Sequence, residues 1–147
     1  LVVTDGENFG SPYRDRGGLF FVQNGVPGIR SNTAEPYGGE IFEQAVQAFP
    51  MLVLDGTQTY TNRSRSARRT AIAQDGQGRV LLIVTRRGAL TLSELSAFLA
   101  QSDMEIVRAF NLDGGGSTMM GVNSGEAAFQ VNTFDAVPVV LAVYARS

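Results

Sequence analysis

The stretch that most constrains this chain is an apolar run, residues 106–112, followed directly by Asp113 and three consecutive glycines. The run has the length and composition of a buried strand. Glycine loses more backbone entropy on ordering than other residues, so three in a row usually serve a sharp bend, a positive φ or a close approach to the main chain. Two interpretations stay open: a functional loop, or a simple turn, because Asp-Gly is also a hairpin signal.

The composition excludes several kinds of site. The 147 residues contain no Cys, no His and no Lys, so every basic side chain is an arginine. Histidine triads, histidine or cysteine metal sites, disulfides and Schiff-base chemistry are therefore impossible within the chain. Acid–base chemistry near neutral pH has to use carboxylates, Tyr or water.

The partners are constrained by charge and hydropathy. The net charge of −2 predicts no binding to nucleic acid. No apolar run approaches the ~20 residues that span a bilayer, which predicts no membrane span in this chain. We expect no cofactor, and no spacing demands a metal ion, although a divalent cation near Asp113 is conceivable because carboxylate and carbonyl oxygens suit calcium or magnesium. The oligomeric state is left open.

Hydrophobic periodicity predicts eight or nine strands and two helices. One helix is predicted over residues 40–49, with apolar side chains on one face. The other begins with a capping box of Thr91 and Glu94 and runs to about Gln101. Asn24-Gly25 predicts a hairpin, and residues 137–144 predict a last strand buried on both faces. Together these elements predict a single-domain α+β fold with a mixed, twisted β-sheet and two amphipathic helices.

Three stretches resemble the phosphodiester glycosidase family, which includes the enzyme that uncovers mannose 6-phosphate. Residues 111–118, Asn-Leu-Asp-Gly-Gly-Gly-Ser-Thr, resemble its signature loop. Residues 69–73 and residues 50–56 match in the same order along the chain. The resemblance implies one domain over residues 1–147 that lacks its N-terminal segment, from a bacterial member of the family. It also implies an exported or cell-envelope location.

The resemblance implies hydrolysis of the glycosidic bond of a sugar-1-phosphodiester, with a phosphorylated sugar or glycan as the ligand. Asp113 and Arg69 are the expected catalytic residues, Arg69 as the ligand of the phosphate. The second carboxylate that glycosidases use is not assigned, and Asp55 and Glu40 are candidates. The expected substrate-binding residues are Asn111, Gly114, Gly115, Gly116, Ser117, Thr118 and Thr70, and the glycine N–H groups are expected to form an anion-binding nest.

The arginines of residues 63–69 are expected to alternate in direction. Arg63, Arg65 and Arg69 are predicted on one face of an extended segment, with Arg68 pointing away. Arg63 and Arg65 are interpreted as solvated.

Two positions depart from the family pattern. The terminal strand of the family is commonly preceded by an Arg and carries an Asn just after its Pro, whereas this chain has Asp135 and Val139 there. These departures favour an alternative function, a non-catalytic binding domain for phosphorylated glycans or cell-envelope polysaccharide. A third hypothesis is a structural domain in which the glycine loop is only a turn and the Asp113 carboxylate caps that turn.

Overall fold

A computed structural model describes residues 1–86, 90–125 and 127–145. These residues form twelve strands, one α-helix and one 3₁₀ turn. The strands are β1 (Val2–Thr4), β2 (Glu7–Phe9), β3 (Gly18–Gln23), β4 (Val26–Ser31), β5 (Gln44–Ala48), β6 (Met51–Leu54), β7 (Thr57–Gln58), β8 (Thr70–Asp75), β9 (Val80–Val84), β10 (Ile106–Asn111), β11 (Met120–Asn123) and β12 (Ala128–Val131). The helix α1 is Leu92–Gln101, and the 3₁₀ turn is Gly115–Ser117.

The strands form two five-stranded sheets and a hairpin. The first sheet has the order β2-β1-β5-β3-β4, and the second has the order β7-β6-β10-β8-β9. Strands β11 and β12 pair with each other. Every pair among the described strands is antiparallel. The prediction of a mixed sheet was therefore wrong.

Two layers of apolar side chains hold the second sheet in place. Phe20 and Ile29 of the first sheet pack against Ile72 and Phe110 of the second, so the two sheets meet face to face. On its other face the second sheet packs against α1, through a cluster that includes Leu95. Strand β10 lies in the middle of the second sheet and contributes to both layers, which fixes the strand that carries the glycine loop.

The helix predicted over residues 40–49 does not form, and the two-helix α+β fold is wrong for this reason. Half of that stretch is strand β5, which lies between β1 and β3 and pairs with both. Ile41 and Phe49, which the helical pattern placed inside, are 85% and 52% exposed. The apolar stretch is too short for periodicity to separate the two structures, and pairing on both sides decides in favour of a strand.

The last predicted strand is also absent. Residues 139–145 pair with no described strand. Val140, Val143 and Tyr144 are exposed, and Leu141 alone packs against the layer between the sheets. The apolar composition of this segment gave it strand propensity, but a strand also needs a neighbouring edge that supplies hydrogen bonds.

Two other local predictions are confirmed, whereas the predicted number of eight or nine strands was too low, because the described residues form twelve. Thr91 and Glu94 form the predicted capping box, and α1 ends at Gln101. Strands β3 and β4 form the hairpin around Asn24-Gly25. In the described part of the chain, no helix has the length and apolarity needed to cross a membrane.

Candidate active site

The glycine loop leaves the end of β10 and stays attached to β8. Leu112 donates its backbone N–H to the carbonyl of Thr70 (2.8 Å), and Gly115 donates to the carbonyl of Arg68 (2.7 Å). Between these two bonds lies Asp113, whose side chain is exposed. The start of β8 and the residues just before it thus hold the loop on both sides of Asp113, whose carboxylate is exposed to solvent.

Close contacts surround two of the three glycines. A Cβ on Gly114 would lie 3.0 Å from the carbonyl oxygen of Arg68. A Cβ on Gly116 would lie 1.7 Å from Oδ2 of Asp135, so a side chain there would force the exposed Asp135 carboxylate to move. Gly115 has a φ of +65°, which favours glycine for a different reason.

The backbone N–H groups of the loop are largely engaged within the protein. Gly114 donates to Oδ1 of Asp113 (2.9 Å), and Gly115 donates to Arg68 as described above. The N–H groups of Ser117 and Thr118 donate to the carbonyls of Gly114 and Gly115. An anion-binding nest built from these groups stays a prediction, and a ligand would have to displace some of these contacts.

Arg68 contacts the glycine loop more extensively than any residue chosen from the sequence. Its guanidinium donates to the carbonyls of Gly115, Gly116 and Thr118, at 3.3, 3.4 and 3.1 Å. It also donates to the carbonyl of Asn132 (2.9 Å) and lies over the ring of Phe134, 4.3 Å from the centroid. Arg68 therefore joins the glycine loop to the segment that follows β12.

Sequence reasoning passed over Arg68 although a signal was present. Arg68 and Thr70 are two residues apart on an extended chain, so their side chains share a face. Thr70 was already a predicted site residue, and its hydroxyl lies 3.3 Å from that of Thr118. Because alternate side chains of a strand share a face, the prediction of Thr70 as a site residue also indicated Arg68.

Arg69 points to a different set of partners. Its Nε donates to the carbonyl of Leu90 (2.8 Å), and a terminal nitrogen donates to the carbonyl of Arg65. Burial lowers the pKa of the Arg69 guanidinium, but arginine remains charged at neutral pH. A guanidinium has more N–H donors than these two contacts use. Its role as a phosphate ligand stays a prediction.

Asn111 brings an unpaired acceptor to the start of the loop. Its amide nitrogen donates to the carbonyls of Leu112 (2.6 Å) and Phe49 (3.3 Å). Its Oδ1 is buried and has no hydrogen-bond partner among the described residues. A buried acceptor without a donor lowers the stability of the folded protein. Such an atom in a folded protein calls for an explanation, and a role in binding a ligand is one.

The two other carboxylates considered from the sequence lie elsewhere. Asp55 follows β6 in a turn with a φ of 49°, and Gly56 after it bonds the carbonyl of Val107, near the start of β10. The glycine loop leaves the opposite end of that strand. Glu40 is paired with Arg30 of the first sheet (2.8 Å). Neither residue shares the loop with Asp113.

Within the described ranges, no three His, Cys, Asp or Glu side chains are close enough together to hold a metal ion.

Comparison with known proteins identifies the family. The family model for phosphodiester glycosidases matches residues 1–144, which include the glycine loop and both strands that hold it. The chain belongs to the phosphodiester glycosidase family. A search of curated proteins found no match to this chain.

Two solved structures resemble this phosphodiester glycosidase chain. One is the catalytic domain of zebrafish N-acetylglucosamine-1-phosphodiester alpha-N-acetylglucosaminidase, auto-inhibited by its pro-peptide, with 19% identity and a TM-score of 0.52. The match covers 71% of this chain and 41% of the zebrafish chain. The other is a hypothetical protein from Synechocystis, with 21% identity and a TM-score of 0.46, covering 74% of this chain and 30% of that chain. The chain thus spans less than half of either protein, and the zebrafish likeness concerns the fold alone.

Replacing Arg68 by Met is expected to loosen the glycine loop. The variant loses four contacts to backbone carbonyls and the stacking on Phe134, so we expect the free energy of unfolding to fall by about 1–3 kcal/mol. Amide hydrogen exchange at residues 114–118 should also rise. Urea unfolding and exchange measured by mass spectrometry check both effects.

Arg63→Met is the matched control for Arg68→Met. Arg63 is exposed and belongs to the same arginine cluster, so its loss should leave the unfolding midpoint and the exchange at residues 114–118 unchanged. Equal behaviour of the two variants would contradict the role of Arg68 in holding the loop.

Proposed function

We propose that this chain carries the site of a hydrolase that cleaves the glycosidic bond of a sugar-1-phosphodiester and releases free sugar. The observation that carries the proposal is the family match over residues 1–144, which includes the complete loop from Asn111 to Thr118. The arrangement of charged and polar groups around that loop supports it.

The phosphate requires positive charge near the loop. Arg68 is hydrogen-bonded to the loop, and Arg69 leaves the same end of β8 with N–H donors to spare. Arginine suits phosphate because it stays charged and offers paired donors. The hydroxyls of Thr70 and Thr118, which lie 3.3 Å apart, add further donors beside Arg68.

The sugar requires a group that stabilises positive charge at the anomeric carbon. Asp113 suits this task because its carboxylate is exposed at the end of β10, within reach of a substrate, and its Oδ1 is oriented by the N–H of Gly114. A phosphate leaving group departs readily, so the main demand is the charge that develops on the ring. Nearby, the unpaired Oδ1 of Asn111 is an acceptor that a sugar hydroxyl could satisfy after a small movement.

A second candidate function is a non-catalytic domain that binds phosphorylated glycans. The observation that favours it is that neither Asp55 nor Glu40, the second carboxylates considered from the sequence, lies at the glycine loop. Val139, which stands where the family commonly has an Asn, points the same way. Such a domain would bind a sugar phosphodiester without cleaving it.

The test is hydrolysis of a panel of sugar-1-phosphodiesters, UDP-N-acetylglucosamine included, in water enriched in ¹⁸O. The proposal predicts release of free sugar, with no ¹⁸O in the phosphate-containing product, because the bond between the anomeric carbon and oxygen is the one that breaks. Label in the phosphate product would indicate a phosphodiesterase instead. Binding of the same compounds by calorimetry without release of sugar would favour the binding domain.

A further inference from the structure

The segment after β12 brings a second carboxylate onto the glycine loop. A Cβ built on Gly116 would lie only 1.7 Å from Oδ2 of Asp135 and 2.6 Å from its Cγ. The carboxylate therefore rests against the main chain of Gly116, in the space that a Cβ at this position would fill. Asp113 lies three residues before Gly116 on the same loop.

The backbone of this segment is held by several hydrogen bonds that converge on one carbonyl. The Gly116 carbonyl accepts from the N–H of Phe134 (2.8 Å), the N–H of Asp135 (3.3 Å) and the hydroxyl of Thr133 (2.9 Å). The same hydroxyl accepts from the Asp135 N–H (3.1 Å). Arg68 adds its bond to the Asn132 carbonyl and its contact with the Phe134 ring. Asp135 is thus held in position through its main chain.

The side chain of Asp135 remains available for chemistry. It is exposed, and none of the ion pairs found between described residues includes Asp135 or Asp113. Its position on the loop is therefore not explained by an ion pair. The site then contains two carboxylates and the guanidinium of Arg68 around one glycine loop, whereas Asp55 and Glu40 lie elsewhere.

We infer that Asp135 is the second carboxylate of the site and acts as the general base. The inference rests on the proposed hydrolysis. In this step Asp135 accepts a proton from a water molecule, and the water oxygen forms a bond to the anomeric carbon. The bond between that carbon and the phosphate oxygen breaks, and its electron pair stays on the phosphate. The products are free sugar and a phosphomonoester, and the proton on Asp135 returns to solvent.

Two variants of Asp135 test this role on the substrate that the wild type hydrolyses fastest. Asp135→Asn keeps the size and the backbone contacts but cannot accept the proton, so kcat should fall about 100-fold with little change in KM. In Asp135→Ala, kcat should fall by a similar factor. Sodium formate should raise the kcat of this variant at least about tenfold, because formate supplies a small carboxylate. Structural damage would not respond to formate.

Asp103→Asn is the matched control. Asp103 is exposed between α1 and β10, at the opposite end of β10 from the loop. The kcat of the Asp103→Asn variant should therefore equal that of the wild type. A kcat of Asp135→Asn within about threefold of wild type would overturn the inference and leave the proposed hydrolysis intact. A loss in Asp135→Ala that formate does not restore would also overturn it. Absence of hydrolysis by the wild type would refute the proposed function, and this inference with it.

Discussion

Asp113→Asn is expected to reduce turnover of a sugar-1-phosphodiester by about 100- to 1,000-fold while leaving the fold intact. Asparagine keeps an oxygen at the position of Oδ1, so the hydrogen bond from the Gly114 N–H can persist. The negative charge that we propose to lie beside the anomeric carbon is lost, and removal of one group that stabilises transition-state charge has a cost of this size. The measurements are kcat on the best substrate of the panel and the unfolding midpoint in urea.

Asp55→Asn provides the comparison for Asp113→Asn. Asp55 also follows an apolar strand and precedes a glycine, but it lies in the turn near the opposite end of β10. Its φ of 49° is one that asparagine tolerates, so fold and turnover should both stay at the wild-type level. If Asp113→Asn turned over substrate at the wild-type rate, the catalytic role of Asp113 would be wrong. Its carboxylate would then serve only to cap the turn through the Gly114 N–H.

Phe110→Ala is expected to lower the free energy of unfolding by about 3–5 kcal/mol. Phe110 is fully buried and packs against Phe20, Ile29 and Ile72, so it contributes to the contact between the two sheets. Truncation removes apolar surface from the interior and leaves a cavity that rigid strands on both sides cannot close. Because Phe110 precedes Asn111, the glycine loop should also become less protected from hydrogen exchange.

Phe98→Ala removes the same number of atoms from a different environment. Phe98 lies on α1 and is 58% exposed, so its truncation should cost far less than that of Phe110. Urea unfolding of both variants, with equal m-values, makes the comparison quantitative. Similar losses in the two variants would contradict face-to-face packing of the sheets through Phe110.

The short-range signals in the sequence were reliable where one local interaction decides the structure. The capping box of Thr91 and Glu94 begins α1, and Asn24-Gly25 makes a hairpin turn. Each signal depends on residues within a few positions of one another, so the sequence contains the whole cause.

The predictions failed where a distant partner decides. Residues 44–48 can satisfy a helical or a strand pattern, and pairing with β1 and β3 selects the strand. Residues 137–144 have strand propensity, but the described part of the chain offers them no edge. Hydrogen bonding between strands is a non-local interaction that periodicity does not report.

The same division applies to the candidate site. The sequence by itself determined the loop from Asn111 to Thr118, because an apolar strand followed by Asp and three glycines is a local pattern, and it determined that any acid–base group near neutral pH is not histidine. Only the tertiary structure decided which carbonyls of the loop Arg68 binds and that Asp135 rests on Gly116. Arg68 and Gly115 are 47 positions apart in the sequence. Gly116 and Asp135 are 19 positions apart. The physical reason is that chain folding, and not spacing along the sequence, sets which side chains meet at the end of a strand.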